Sequence, residues 1–341
     1  MATYESKERT LEAAAIDERL APYVAAVEDE LRKQRDPNSK IMCLAYGFVE
    51  AGGKRLRPSI TLLVCKSLKG TFREALPVAV AYELAHTASL TQDDIIDNSP
   101  TRHNAPTAHT LHGTTTAILI SDMMIFQMFE MLAQYSDLDI SKEQLATLLA
   151  YVAKSAKAAA EGEFMEMELS KRIDSTVEDY VRLAGLKTGA LFGAAAASGA
   201  IVGGAKPKVI KEMYEFGRNL GIEYQMVDDI LDLTGSSEEM GKPMLQDLHN
   251  NASNVVVIHA LAHANAKTGG MLRSVMTRSA FGLGNVADLL GIFDDLGSVE
   301  FAAQLAKKHA TIARSKLRSL PDGEPRDDLM AITDSLEARR R

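Results

Sequence analysis

The sequence has few cysteines, no excess of basic residues and no secretory signal. Its two cysteines, Cys43 and Cys65, lie in apolar-periodic stretches, which favours buried thiols in a reducing compartment over a disulfide. The formal net charge of −8 argues against non-specific binding to nucleic acid, because such binding needs a basic surface. An anionic substrate would therefore require local Lys and Arg residues or metal ions that outweigh the overall negative field.

A membrane span is also not predicted. The first twenty residues are charged and lack an apolar core segment, so a secretory signal peptide is not expected there. The most apolar stretch, ALFGAAAASGAIVGGA (190–205), is short for a bilayer and rich in Gly and Ala, which predicts a closely packed buried helix. With 46% hydrophobic and 25% charged residues, the chain is expected to be a soluble, cytoplasmic globular protein.

What the sequence has in abundance is helical periodicity. Apolar residues recur at helical spacing in 11–34, 141–172, 177–192 and 206–233, and few segments alternate as strands do. Clusters of Gly, Pro, Asn and Ser separate these stretches, and no linker is long. We therefore expect a single all-α domain that spans residues 1–341.

Two segments carry three aspartates each, although like charges this close repel one another. They are Asp93, Asp94 and Asp97 in SLTQDDIIDNSPTRH, and Asp228, Asp229 and Asp232 in YQMVDDILDLTG. On a helix, the first and last aspartate of each cluster share one face. Carboxylates presented in this way are hard oxygen ligands, suited to Mg²⁺ that bridges substrate phosphates. One cluster alone would more often be a solvated acidic surface, but two in one helical domain predict a shared metal–diphosphate site.

Basic residues that could bind a diphosphate are scattered along the chain. EAGGKRLRPSI (50–60) places three of them between two glycines and a proline, where a loop or helix start can approach phosphate oxygens. In that segment they are Lys54, Arg55 and Arg57. Elsewhere, Arg102 follows the first aspartate cluster, Lys187 precedes a Thr-Gly pair, and Lys242 follows the second cluster. Each one alone is as well explained by an ordinary basic turn or surface position.

Taken together, these motifs resemble the trans-isoprenyl diphosphate synthases of the polyprenyl synthetase family. Between about residue 40 and residue 260 the chain carries, in the family's order and spacing, GGKRLRP, HTASLTQDDIIDNSPTR, PTAH, EGE, LKTGALF, FGRNLGIEYQMVDDILD and GKP. The resemblance implies a large helical bundle around a central cavity, the isoprenoid synthase fold. It also implies a homodimer that uses several Mg²⁺ ions to join an allylic prenyl diphosphate to isopentenyl diphosphate.

The resemblance also assigns roles to residues of this chain. The metal ligands would be Asp93, Asp94, Asp97, Asp228, Asp229 and Asp232. The allylic diphosphate would be bound by Arg102, Lys187 and Lys242, and isopentenyl diphosphate by Lys54, Arg57 and His86. Thr188 and Gln225 would lie beside the reacting allylic carbon, where their dipoles can stabilise cationic charge. Without the motif, His86 on an apolar helix would more simply be a core histidine.

The sequence departs from the family pattern at two cationic positions. The family usually has a second arginine after Arg102, where this chain has His103, and a lysine where this chain has Ala252; Asn254 stands near the usual threonine. Elongation with His103 as a second-substrate contact remains one interpretation. A class I terpene cyclase built on the same scaffold is the alternative. A regulatory subunit of a heteromeric synthase is a third, although such subunits usually have eroded aspartate motifs.

The length of the product should depend on side chains upstream of the first aspartate cluster. In the family, bulky residues there close the tunnel that receives the growing chain. The positions one to two turns before Asp93 are small, which predicts a product at least as long as geranylgeranyl diphosphate. They are Ala85, Ala88 and Ser89. The facing segment offers bulkier candidates for a deeper floor, Met124, Phe126, Met128 and Phe129.

Overall fold

The computed structural model describes residues 2–102, 105–234, 254–276 and 286–339. The helices in this part of the chain are α1 (Ala2–Gln34), α2 (Lys40–Glu50), α3 (Leu56–Ser67), α4 (Phe72–Ile96), α5 (Ala108–His112), α6 (Thr114–Ala133), α7 (Lys142–Leu169), α8 (Val177–Ala184), α9 (Ala190–Val202), α10 (Pro207–Thr234), α11 (Val255–His263), α12 (Ala266–Met276), α13 (Val286–Asp295), α14 (Ser298–Leu317) and α15 (Glu324–Arg339). A 3₁₀ turn covers Gln134–Asp137, and a π-helical segment covers Gly185–Gly189. The prediction of an all-α fold is confirmed.

The only strands in the described residues form one very short ribbon after α4. Strand β1 (Thr101–Arg102) pairs in antiparallel register with β2 (Ala105–Pro106). This ribbon reverses the chain between α4 and α5. It thereby places Arg102 back beside the end of α4.

Capping residues explain where several helices begin. The Thr71 hydroxyl accepts a hydrogen bond from the Glu74 backbone N–H, while the Glu74 carboxylate accepts one from the Thr71 N–H. The same reciprocal pattern opens α7 at Ser141 and α8 at Thr176. Each capping box satisfies two backbone donors that a helix start otherwise leaves unpaired.

Helix α9 lies at the centre of the molecule, as the 190–205 stretch predicted. All thirteen of its residues are buried, and it packs against α3, α4, α7 and α10. Small side chains allow this because they let neighbouring backbones approach closely. At Gly217 of α10, for example, a Cβ would lie 2.2 Å from the Phe192 carbonyl oxygen. The two helices therefore pack closely, and α10 carries the second aspartate cluster.

Two helical stretches, 114–137 and 177–202, are long and apolar enough to meet the length and composition expected of a membrane span. The apolar window of the second is 89% buried inside the protein and that of the first is 44% buried. Core helices of soluble proteins meet the same description, so the observation is weak support for membrane insertion.

Both cysteines are free thiols, but only one is buried. Cys65 is 1% exposed, and burial raises its pKa to about 12. Cys43 is only partly buried. The expectation that both would be buried is therefore wrong for Cys43, which lies near the start of α2, where its thiol contacts the carbonyls of Asp36 and Pro37.

One face of α6 carries large apolar side chains that the rest of the described chain does not cover. Ile118, Leu119, Phe126 and Phe129 are between 49% and 63% exposed. Leu111 on the preceding α5 is 54% exposed. We call these five residues the α6 face.

Candidate active site

The first aspartate cluster lies at the carboxyl-terminal end of α4. Asp97 is the C-cap residue, and its backbone N–H donates to the Asp93 carbonyl at 2.8 Å, so the helical arrangement of the cluster is kept. Asp94 is 5% exposed, and its carboxylate accepts a 2.8 Å hydrogen bond from Arg102 Nε. Arg102 thus neutralises the buried member of the cluster, while Asp97 is exposed.

Crowding and burial make this cluster costly to ionise. Burial, reinforced by the neighbouring Glu163 carboxylate, raises the pKa of Asp93 to about 7, although Lys187 and Arg102 act in the opposite direction. The pKa of Asp97 is raised as well, because its carboxyl group is partly desolvated even though the residue as a whole is exposed. Buried carboxylates that resist ionisation in this way would be stabilised by an added cation.

The positive partner of the cluster comes from the π-helical segment. The Lys187 ammonium donates to the Glu163 carboxylate at 2.7 Å and to the Glu166 carboxylate, both on α7. Burial lowers the pKa of Lys187, but Glu166, Asp93 and Glu163 outweigh it and raise that pKa above its ordinary value. Lys187 is therefore a fixed positive charge beside the first cluster.

The neighbouring residue connects the same segment to the second cluster. The Thr188 hydroxyl donates to Gln225 Oε1 at 2.9 Å, and Gln225 Nε2 donates to Asp229 Oδ1 at 3.1 Å. A recess opens here, lined by Glu166, Tyr180, Leu183, Ala184, Lys187 and Gln225. Adjacent residues of one short segment therefore reach both aspartate clusters.

Asp229 is held by protein donors on both of its oxygens. Its second oxygen, Oδ2, accepts a 3.0 Å hydrogen bond from the Val255 backbone N–H at the start of α11. Asn254 donates to the Asp229 carbonyl at 3.1 Å and caps α11 through a 2.9 Å bond from the Val256 N–H. This residue, which stands near the family's usual threonine, thus fastens α11 to the second cluster.

The basic side chains of the segment 50–60 differ in their exposure to solvent. Arg55, 4% exposed, donates to the Glu83 carboxylate at 2.5 Å and to the Val49 carbonyl. The expectation that Arg55 approaches phosphate is therefore not met, because it serves a buried ion pair. Lys54 is exposed.

Arg57 lies in the first turn of α3. Its guanidinium lies over the Phe192 ring at 4.3 Å from the centroid. Burial lowers the pKa of Arg57, and the opposing influences come from Tyr224, Glu83 and Asp228. Arg57 therefore interacts electrostatically with Asp228 of the second aspartate cluster.

The remaining predicted residues fall into two groups. His86, half-buried on α4, precedes Asp93 by two helical turns and shares its face. His103, Lys242 and Ala252 lie outside the described residues. Their predicted contacts with diphosphates remain predictions.

The donor chemistry of the site suits a divalent cation that prefers oxygen. Within the described ranges, no three acidic, His or Cys side chains come close enough together to hold an ion by themselves. Mg²⁺ typically uses one or two carboxylates, several waters and substrate phosphate oxygens. Two acidic clusters on separate helices fit that mode of binding.

The structure distinguishes between the candidate floor residues. Met124 and Met128 are 1% and 4% exposed, whereas Phe126 and Phe129 project outward on the α6 face. Helix α6 contacts α4 at Ala88, whose carbonyl accepts a 3.2 Å hydrogen bond from the Ser121 hydroxyl. The two methionines are therefore the bulky inward-facing residues among these candidates.

Sequence reasoning left three participating residues without a role. Glu163 and Glu166 bind Lys187, and the only signal for them was the EGE motif, which covers just Glu163 of the pair. Asn254 was regarded as a departure from the family, although the Asn-Val-Val sequence is a possible helix start.

Comparison with known proteins identifies the family of the chain. The Polyprenyl synthetase family model matches residues 39–291. A short chain isoprenyl diphosphate synthase of Methanothermobacter thermautotrophicus is 35% identical over 287 residues, which cover 84% of this chain and 86% of the relative.

Solved structures give the same result. The geranylgeranyl pyrophosphate synthetase of Pyrococcus horikoshii superposes with a TM-score of 0.88 at 29% identity, covering 95% of this chain and 98% of that one. A polyprenyl synthase of Caulobacter crescentus, complexed with calcium and isoprenyl diphosphate, superposes with a TM-score of 0.86 at 25% identity, covering 95% and 98%. The chain therefore belongs to the polyprenyl synthetase family of prenyltransferases.

Proposed function

We propose that this protein condenses an allylic prenyl diphosphate with isopentenyl diphosphate in the trans configuration, using Mg²⁺. The observation that carries the proposal is the π-helical segment. Its Lys187 lies beside the first aspartate cluster, and its Thr188 is hydrogen-bonded through Gln225 to the second. A diphosphate held between the clusters would therefore meet an ammonium on one side and oriented dipoles on the other.

In this proposal, separate groups of residues bind the metal ions, bind the diphosphate and stabilise the allylic cation. Asp93, Asp94, Asp97, Asp228, Asp229 and Asp232 would hold the magnesium ions. Bound Mg²⁺ would supply Lewis-acid stabilisation of the departing diphosphate. Lys187, Arg102 and Lys242 would bind diphosphate oxygens. Thr188 Oγ1 and Gln225 Oε1 would direct oxygen dipoles at the allylic carbon as it becomes cationic.

The same proposal gives the second substrate its own contacts. Lys54, Arg57 and His86 would bind isopentenyl diphosphate near the start of α3. Phe192 supports Arg57 there by stacking beneath its guanidinium. The alkene of isopentenyl diphosphate attacks the allylic carbon, and a proton then leaves the new cation, for which the released diphosphate is the available base.

One assay separates condensation from the alternatives. Purified protein with Mg²⁺ and farnesyl diphosphate should give a longer prenyl diphosphate only when isopentenyl diphosphate is added. A hydrocarbon or alcohol formed from farnesyl diphosphate alone would favour the terpene cyclase. The reason for considering a cyclase is that the chain departs from the family pattern at His103 and Ala252. No product from any allylic substrate, alone or with isopentenyl diphosphate, would favour a regulatory subunit.

We propose a product at least as long as geranylgeranyl diphosphate, and Ala88→Phe should shorten it. Ala88 is 1% exposed at the contact of α4 with α6, so an added ring must fill interior space. Ser89→Phe, on the face of Asp93, should shorten the product too. Mass spectrometry would measure the length of the products, and thermal melting would check that the variants are folded.

The exposed Ala25 of α1 provides the control for these substitutions, and Ala25→Phe should leave product length unchanged. Farnesyl diphosphate as the main wild-type product would contradict the prediction. Unchanged product length in both Ala88→Phe and Ser89→Phe would place the floor of the tunnel elsewhere.

We also propose that the chain is one domain that acts in the cytoplasm as a homodimer, paired through the α6 face. Contiguous apolar surface of this kind commonly marks a protein–protein contact. Phe126 is 63% exposed, and covering one such side chain is worth about 1.5–3 kcal/mol. Its position in the middle of α6 allows the same residues to face each other across a twofold axis.

Phe126→Glu should therefore shift the protein from dimer to monomer in light scattering after gel filtration. The substitution places a charge, next to Asp122 and Glu130 of the same helix, where an apolar contact is expected. Met271→Glu is the matched control, because Met271 is 47% exposed on α12, away from α6. A wild-type monomer, or a Phe126→Glu dimer as stable as wild type, would contradict the proposal.

A further inference from the structure

Lys187 is fixed by two carboxylates that the proposed chemistry does not use. Glu163 and Glu166 lie on one face of α7, three positions apart, and both accept hydrogen bonds from the Lys187 ammonium. The side chains of Lys187, Glu163 and Glu166 are 25%, 16% and 21% exposed, so the group is mostly shielded from solvent. We call these two glutamates the α7 carboxylate pair.

The contacts of the Lys187 ammonium leave it able to donate a hydrogen bond to a ligand. An ammonium has three N–H donors, and the α7 carboxylate pair occupies two of them. Lys187 also interacts electrostatically with Asp93 and Asp97 of the first aspartate cluster. The pair thus leaves one donor of the ammonium for a diphosphate bound at the first aspartate cluster.

A lysine needs such support more than an arginine would. Its charge sits at the end of a flexible four-carbon stem, and ordering that stem opposes binding. Carboxylates that order the stem before the substrate arrives remove this loss from the binding step.

The backbone around the pair is arranged for close contact. At Gly162, one residue before Glu163, a Cβ would lie 2.5 Å from the Lys187 backbone nitrogen. Helix α7 and the π-helical segment therefore touch through their main chains. This contact sets how far the α7 carboxylate pair reaches toward Lys187.

We propose that Glu163 and Glu166 are positioning residues that hold the Lys187 ammonium toward the first aspartate cluster, where it binds the allylic diphosphate. This inference rests on the proposed function. It differs from a purely structural ion pair, because the two glutamates then affect substrate binding only through Lys187. It also differs from sequestration, in which the glutamates would compete with the diphosphate for Lys187.

The test is a double-mutant cycle, read out by equilibrium binding of farnesyl thiolodiphosphate with Mg²⁺ and by steady-state kinetics. Glu166→Gln should raise the Kd about three- to tenfold, and Lys187→Met about ten- to one-hundredfold. In the Lys187→Met background, Glu166→Gln should cause no further loss, because its partner is already gone. The KM for isopentenyl diphosphate should stay unchanged in Glu166→Gln.

Glu168→Gln is the matched control, because Glu168 lies on the same helix and pairs with the exposed Lys171 at 2.9 Å. It should bind the analogue as wild type does. Equal losses from Glu166→Gln in both backgrounds would overturn the inference in favour of a structural role. Tighter binding in Glu166→Gln would overturn it in favour of sequestration. Wild-type protein that neither binds the analogue nor elongates would overturn the proposed function itself and the inference with it.

Discussion

Prenyl transfer is expected to stop when divalent metal is removed with excess EDTA, and to return when Mg²⁺ is restored. The reason is electrostatic. The diphosphate and the carboxylates of both clusters carry negative charge, and the pKa of Asp93 is already raised to about 7 by burial and by Glu163. Lys187 and Arg102 are too few to balance that charge, so metal must supply the rest. Full activity in EDTA would contradict the shared metal–diphosphate site.

Replacing a single aspartate in either cluster should also lower activity severely. Asp93→Ala or Asp228→Ala should lower kcat by two or more orders of magnitude, roughly the loss seen when a main electrostatic contact to a transition state is removed. Circular dichroism should show that the helical fold is intact. Asp17→Ala, an exposed aspartate on α1, is the control and should keep wild-type kcat.

Gly162→Ala is expected to impair both stability and turnover. A Cβ at this position would lie 2.5 Å from the Lys187 nitrogen and 2.7 Å from its Cα, and backbone atoms cannot move aside as a flexible side chain can. Overpacking of this kind typically destabilises by about 1–3 kcal/mol. The displaced backbone carries Lys187 and Thr188. Moving these two side chains by about 1 Å should also lower kcat about one-hundredfold.

Gly47→Ala provides the matched control for this substitution. Gly47 is also in a helix, α2, but apart from its chain neighbours and the backbone of its own helix no heavy atom lies within 4 Å of a Cβ built there. Alanine should raise its stability by up to about 1 kcal/mol, because Ala is the better helix former. Urea unfolding and steady-state kinetics of the two variants make the comparison. A Gly162→Ala variant as stable and active as Gly47→Ala would contradict the close contact of α7 with the π-helical segment.

Periodicity made much of the fold predictable. The Gly- and Ala-rich stretch 190–205 was predicted to be a buried helix, and α9 is buried throughout. Both aspartate clusters were expected on helices, and α4 and α10 carry them. These predictions depend on local spacing, which a sequence displays directly.

The features that sequence reasoning missed depend on tertiary contacts. Nothing local distinguishes Arg55, which enters a buried ion pair with Glu83, from its basic neighbours. Likewise, Phe126 and Met128 lie two positions apart, and only the packing of α6 against α4 determines which of them faces inward. The contact of Glu166 with Lys187 joins residues 21 positions apart, at a distance that no motif encodes.

The π-helical segment Gly185–Gly189 determines how tolerant this scaffold is of insertions and deletions. In a regular α-helix, successive side chains point about 100° apart, so one of two neighbours normally faces away from a given wall. A π turn accommodates one extra residue within the helix, so it sets the rotation of α8 relative to α9 and thereby the directions in which Lys187 and Thr188 point. Deletion of a single residue from 185–189 would restore regular helix and rotate α8 against α9 by about 100°. Because α8 buries Tyr180, Leu183 and Ala184, such a rotation would disrupt its packing and would also redirect Lys187 and Thr188, so a change of chain length here would lower both folding stability and activity.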